Sequence, residues 1–341
     1  MGNLCSTSRK LASYSPGAVE SVKTLTSALH SDVIFDLACT SESDVFLSCS
    51  NDMKICRFNW RRDQILDEWK GHSACVNKVV WSSKCQQAIS CSRDKSILFW
   101  KPGQERPVSQ LLDAHKLTIT SIVLHPSQTT ICSGSRDYNV RFWDIATQSM
   151  TQSFEVNLNV VTCMRWIPNT PAIVQCGEDL MIRIWDQRSP DPVQQFEGGS
   201  DFPLCCDISA DGNALTTGYN GFNPSATVLK HWDLRVLRQT GTFVGHEQSI
   251  RDCKFSSHNG RDLLISTGKD QTIKIWDPTD FTCLSSTTQS DMSYCTSVCL
   301  DPKRPGIVHV SCAEAFVTTW EITDDFALDP ICRTRRNRAD S

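Results

Sequence analysis

A tryptophan returns every 42 to 47 residues along this chain, at Trp100, Trp143, Trp185, Trp232, Trp276 and Trp320. Phe58 extends the series one step back, 42 residues before Trp100. A repeat of this length is one supersecondary unit that cannot bury its apolar face alone, so neighbouring units must stack. Two further marks travel with the aromatic. A histidine stands 28 to 30 residues ahead of several copies, in Leu29-His30, Gly71-His72, Ala114-His115 and Gly245-His246. An aspartate stands six residues ahead, at Asp52, Asp94, Asp137, Asp179 and Asp270, with Glu314 in the seventh copy. Trp143, Trp185, Trp232 and Trp276 are each followed by Asp, whereas Phe58-Asn59, Trp100-Lys101 and Trp320-Glu321 are weakened copies.

Within a unit the pattern is that of short strands. In the third copy, Ile119–Leu124, Ile131–Ser133, Val140–Trp143 and Thr151–Phe154 read as four strands. Arg136-Asp137-Tyr138-Asn139 is a turn rich in turn formers. The period, the Gly-His and Trp-Asp marks and the four strands per unit resemble the WD40 repeat. Seven copies run from Leu29 to Glu321, about 85% of the chain. The resemblance implies an all-β, seven-bladed WD40 β-propeller with short flexible N- and C-terminal tails. The expected division is a tether over 1–18, the propeller over 19–332 and a basic tail over 333–341. Val19–Leu25 and Phe326–Cys332 are both candidates for the outer strand of blade seven.

His72, Ser90, Asp94 and Trp100 invite comparison with a Ser–His–Asp triad. The same set returns as His115, Ser133, Asp137 and Trp143, and again as His246, Ser266, Asp270 and Trp276. A triad occurs once per active site; a structural network recurs in every blade. The resemblance implies a buried hydrogen-bond chain through the four residues, because an unsatisfied buried polar group costs about 1–3 kcal/mol. In the first copy Phe58 removes the indole donor, and in the fourth Gln175 replaces Ser with no Gly-His. The fifth and seventh are weaker still, so blades two, three and six are expected to be the rigid ones. With no phosphate-cradling glycine loop, an enzyme is not expected, and neither is a cofactor.

The net charge is −4 and the pI about 6.1. Nucleic-acid binding needs concentrated Lys and Arg, so it is not expected. No apolar run approaches the roughly 20 residues of a membrane-spanning helix. Eighteen cysteines are present without a CxxC pair. The spacing fits no zinc motif, and reduced thiols acting as small apolar side chains are the expectation, with no metal.

Partner contacts are expected on one rim, which in WD40 propellers carries both the turn before the third strand and the start of the first strand. Arg93, Arg136, Arg251 and Lys269 make that rim basic, with Tyr294 beside them, and an acidic peptide would suit it. In the fifth copy Gly218-Tyr219-Asn220-Gly221-Phe222-Asn223-Pro224 forms a loop that offers Phe222 as an exposed aromatic. Trp185-Asp186-Gln187-Arg188 and Trp232-Asp233-Leu234-Arg235 both read W-D-x-R. They resemble the box by which substrate receptors dock on cullin-4 ubiquitin ligases.

Met1-Gly2-Asn3-Leu4-Cys5-Ser6 matches the N-myristoylation signal, with Gly2 as acceptor. One myristoyl chain anchors weakly, so Cys5 is expected to add a palmitoyl group. Arg9, Lys10 and the arginines of 333–338 would add attraction to an anionic membrane. Tyr14-Ser15-Pro16, Asn159-Val160-Val161-Thr162 and Asn220-Gly221-Phe222 with the following Trp-Asp-Leu-Arg resemble the WD repeat-containing protein 31 subfamily. The longer segment between Pro16 and His30 departs from it. This resemblance implies a scaffold at the cilium or ciliary base; with the acylation signal, the expectation is a monomeric, membrane-associated cytoplasmic protein. The implied partners are proteins of intraflagellar transport, the Bardet–Biedl coat and regulators of ARF-like GTPases.

Overall fold

A computed structural model describes residues 23–156, 159–189, 191–221, 227–288 and 293–334. The described residues contain no helix, only strands and turns. Every blade has four antiparallel strands from one contiguous segment, in sequence order, and blade seven gains a fifth at its outer edge. Blade one runs from Ile34 to Lys70, blade two from Val76 to Leu111 and blade three from Ile119 to Glu155. Blades four to seven span Val161–Glu197, Pro203–Val244, Ile250–Thr288 and Cys295–Arg333. The innermost strand of every blade bulges at its second residue, between Ile34 and Asp36 in blade one and between Val161 and Cys163 in blade four. An extra residue there increases local twist, which the tight inner circumference of a ring requires.

The turn between the second and third strands explains the recurring aspartate. Met53, Lys95, Tyr138, Leu180 and Gln271, each just after the Asp, all have φ between 62° and 72°. This left-handed turn is closed by the Asp itself. The Asp94 carboxylate accepts from the amide of Ser96 at 2.9 Å, and Asp52, Asp137, Asp179 and Asp270 do the same two residues on.

The core lies between blades, with one apolar cluster at each of the seven junctions. Blade one meets blade two through Leu47, Ile55 and Trp69 against Val76, Val79 and Trp100, where the two indoles stack. The ring closes where Phe46, Phe58 and Trp60 of blade one meet Cys299, Ile307 and Val317 of blade seven. Both candidate segments contribute to blade seven. Leu328–Arg333 is its antiparallel fourth strand, and Lys23–Thr24 adds a short fifth strand, parallel to it. Arg333, expected to open the tail, instead ends this strand, and Thr334 exchanges hydrogen bonds with the Val317 backbone. Backbone pairing to Val317 extends the blade two residues past the expected boundary.

Candidate interaction surface

The side-chain chains run as one directional relay. In blade two the Trp100 indole donates to Ser90 Oγ at 2.8 Å. Ser90 then donates to His72 Nε2 at 2.8 Å, and His72 Nδ1–H donates to Asp94 at 2.8 Å. Blades three and six repeat it through Trp143, Ser133, His115 and Asp137, and through Trp276, Ser266, His246 and Asp270. Each Ser hydroxyl is wholly buried and already engaged on both sides, so no nucleophile is presented. Burial opposes the carboxylate charge, but the imidazole bond overcomes it. His72 and His115 hold Asp94 and Asp137 well below the usual carboxylate range, and His246 brings Asp270 to about 2.

Other blades vary this relay. In blade one His30 still joins Ser48 and Asp52, and Phe58 supplies no donor. In blade four Trp185 reaches Gln175 Oε1 at 3.3 Å, and Asp179 pairs with Arg183 at 2.5 Å. Blade five has a substitute the repeat pattern did not reveal. Trp232 donates to Thr217, Thr217 donates to the buried Tyr219 hydroxyl, and Tyr219 donates to the Gly198 carbonyl at 2.5 Å. In blade seven Val310 holds the serine position, and Trp320 turns to Thr318 on its own strand.

Backbone hydrogen bonds define the rim. The amides of Arg93, Arg136, Glu178 and Lys269, in the turns, donate to the carbonyls of Cys75, Thr118, Val160 and Ser249, just ahead of the innermost strands. These two sets of residues therefore lie side by side. Arg93, Arg136 and Lys269 are exposed and Arg251 is half-buried. The Arg93 guanidinium lies over the Phe35 ring at 5.5 Å, and the Lys269 ammonium over the Tyr294 ring at 5.7 Å. Among the described residues none of these four cations has a carboxylate partner, whereas Arg57, Arg165, Arg183 and Arg261 are all ion-paired. Glu178 stands in the blade-four turn, so the basic character belongs to blades two, three and six. The rim also exposes Met53, Leu112 and Leu117, with Leu117 one residue before the carbonyl that binds Arg136. Sequence reasoning passed over these, since a single apolar residue in a loop carries no periodic signal.

The two W-D-x-R boxes lie on the opposite face, after the third strands of blades four and five. Trp185 and Trp232 are buried, and Arg188 and Arg235 are exposed, each folded bidentately onto Asp186 or Asp233. Phe222, Gly2 and Cys5 lie outside the described residues.

The WD40 family (WD domain, G-beta repeat) matches residues 63–101, 106–144, 148–186 and 237–277. Every matched stretch ends at or just after a tryptophan of the series, and three of the four carry the relays of blades two, three and six. The chain is a WD40-repeat β-propeller. Its relatives include the nuclear distribution protein nudF of Aspergillus niger, 24% identical over 73% of this chain and 60% of the relative. The ribosome biogenesis protein WDR12 homolog of Nematostella vectensis is 27% identical over 69% of this chain and 66% of the relative. Protein groucho of Drosophila melanogaster is 32% identical over 41% of this chain and 19% of the relative. This WD40 propeller thus spans less than two thirds of the length of each. WD40 propellers generally serve as protein-interaction scaffolds, and nothing in the names of these relatives denotes an enzyme.

Proposed function

We propose that this propeller is a non-catalytic adaptor whose basic rim receives an acidic segment of a partner protein. The observation that carries this reading is the set of rim cations, Arg93, Arg136 and Lys269, exposed and without carboxylate partners, two of them set over aromatic rings. An Arg fork held over a ring is oriented before it binds, and it pairs bidentately with carboxylates. Phe35, Tyr294 and Leu117 give the same surface apolar contact area. The relatives' names, nuclear distribution and ribosome biogenesis, differ in task, so the shared propeller supports scaffolding and no single pathway.

The finer reading rests on the subfamily resemblance. On it the partners are ciliary transport complexes, and Gly2 and Cys5 acylation tethers a monomeric scaffold to the membrane at the cilium. A second reading, docking on a cullin-4 ligase, is favoured by the exposure of both Arg188 and Arg235 on one face of consecutive blades. One experiment separates them: proximity labelling and imaging of the tagged chain in ciliated cells, with three variants. Arg93→Glu with Arg136→Glu should strip the labelled partners while the chain stays in place. Gly2→Ala should delocalise it, and Arg188→Ala with Arg235→Ala should change neither. An unchanged partner set after rim charge reversal sinks the rim proposal; loss of ligase subunits only after the last pair of changes favours the second reading.

A further inference from the structure

Three thiols far apart in sequence converge at the junction of blades four and five. Cys163, on the innermost strand of blade four, faces Cys176 across the sheet in register. Cys206, on the innermost strand of blade five, completes the group. Cys163 Sγ is 3.2 Å from Cys206 Sγ, and all three sulfurs lie within 4.8 Å of one another. All are buried, in a cluster with Val174, Ile182 and Leu215.

Filler thiols account poorly for this grouping, because every junction offers the same three positions. At the junction of blades one and two they are Asp36, Cys49 and Val79; at the next, Lys78, Cys91 and Ile122. At the junction of blades five and six they are Cys205, Gly218 and Cys253. Only between blades four and five do all three carry sulfur. The fold therefore places a ligand triad where elsewhere it places mixed packing.

We infer that Cys163, Cys176 and Cys206 form a trigonal thiolate site for a soft, low-coordinate metal ion of the copper(I) class. Soft thiolates select copper(I) and zinc. Structural zinc takes four protein ligands, and among the described residues no fourth His, Cys, Asp or Glu joins this group. With metal–sulfur bonds of about 2.3 Å, three sulfurs in a plane sit roughly 4 Å apart; the Cys163–Cys206 edge is 3.2 Å and no edge exceeds 4.8 Å, so closing on an ion needs only small side-chain shifts. Binding replaces three S–H bonds by three S–metal bonds and releases the three protons to solvent, with no change of oxidation state.

The test uses the full chain, reduced by a phosphine under argon and titrated with copper(I) against a chromophoric chelator. One ion per chain should be held against the chelator. Cys206→Ser and Cys176→Ser should weaken it by more than roughly 100-fold, since loss of outer-sphere partners alone costs 10–100-fold. Cys205→Ser, one residue away but aimed at the next junction, should leave it unchanged. Should a serine variant fail to fold, X-ray absorption on the copper-loaded parent still decides, through a first shell of three sulfurs. A two-sulfur shell, tight binding that survives Cys206→Ser, or recovery of these thiols as a Cys163–Cys206 disulfide in glutathione buffer would each overturn the proposal.

Discussion

A single serine oxygen is the pivot of each complete relay. Ser133 Oγ accepts from Trp143 and donates to His115, so removing it strands two buried groups at once. Ser133→Ala should destabilise the propeller by about 1–3 kcal/mol. Ser48→Ala in blade one should cost less, because Phe58 presents no donor to strand. Urea unfolding of the two variants side by side checks the order. His309 shows a different single-residue effect. It is buried against Phe46, with rings 4.9 Å apart, and bonds Thr319 at 2.9 Å. Burial, opposed in part by Asp301, drives its pKa down from 6.5 to about 4. The folded state therefore refuses a proton that the unfolded chain accepts. Stability from this group is full above pH 6.5 and falls as pH drops from 6.5 through 4, by roughly 3 kcal/mol in all. His309→Asn should flatten that part of the stability–pH curve, while a parallel loss in both proteins would refute the assignment.

At the scale of the element, the informative piece is the strand Lys23–Thr24. Two residues of parallel pairing are too few to hold by themselves. A side chain from blade one makes up the difference. Asp63 accepts from the Thr26 amide at 2.5 Å, the Thr26 hydroxyl at 2.6 Å and the Ser27 amide at 3.1 Å. Just beyond the pairing, Leu25 is buried in the cluster that closes the ring. Asp63→Ala should release this segment without unfolding the blades. Hydrogen exchange would then show faster exchange at Leu25, whose amide otherwise binds the Arg333 carbonyl. Unchanged protection there would mean that apolar packing alone retains the strand.

Across the whole molecule, innermost-strand charges stitch the last blades to the first. Asp252 of blade six accepts from Ser297 Oγ at 2.8 Å and the Val298 amide at 3.1 Å in blade seven, and pairs with Lys254. The same Ser297 hydroxyl oxygen lies 3.1 Å from Asp36 of blade one, which pairs with Lys78 of blade two, so its one proton is shared between the two carboxylates. Burial would raise the Asp252 pKa, but the positive charges of Lys254, Lys78 and Arg165 hold it well below the usual carboxylate range. Asp252→Ala would leave half-buried Lys254 without its ion-pair partner and the buried Val298 amide without its acceptor, at about 1–3 kcal/mol for the stranded group. Chemical denaturation should show that loss in one cooperative transition, because the ring has no independent blade. A separate early transition confined to blades six and seven would argue against such coupling.

Repetition let the chain announce its fold. The Trp spacing, the Gly-His marks and the turn aspartates report local structure, and each copy restates the last, so seven units and the relays of blades two, three and six were legible from residues alone. The rim residues were legible as positions, since their place follows from strand order. Three things needed the folded ring. Tyr219 replaces a histidine from a different sequence position, reaching the same buried space from the second strand. Closure of blade seven depends on which segment finds an open edge, and both ends do, because the C-terminal strand pairs antiparallel and still leaves an edge for Lys23–Thr24. The Cys163, Cys176 and Cys206 cluster spans two blades and 43 residues, as the Cys163–Cys206 separation shows. Local sequence sets what each blade is; only the packing of blade against blade decides which side chains from different blades meet.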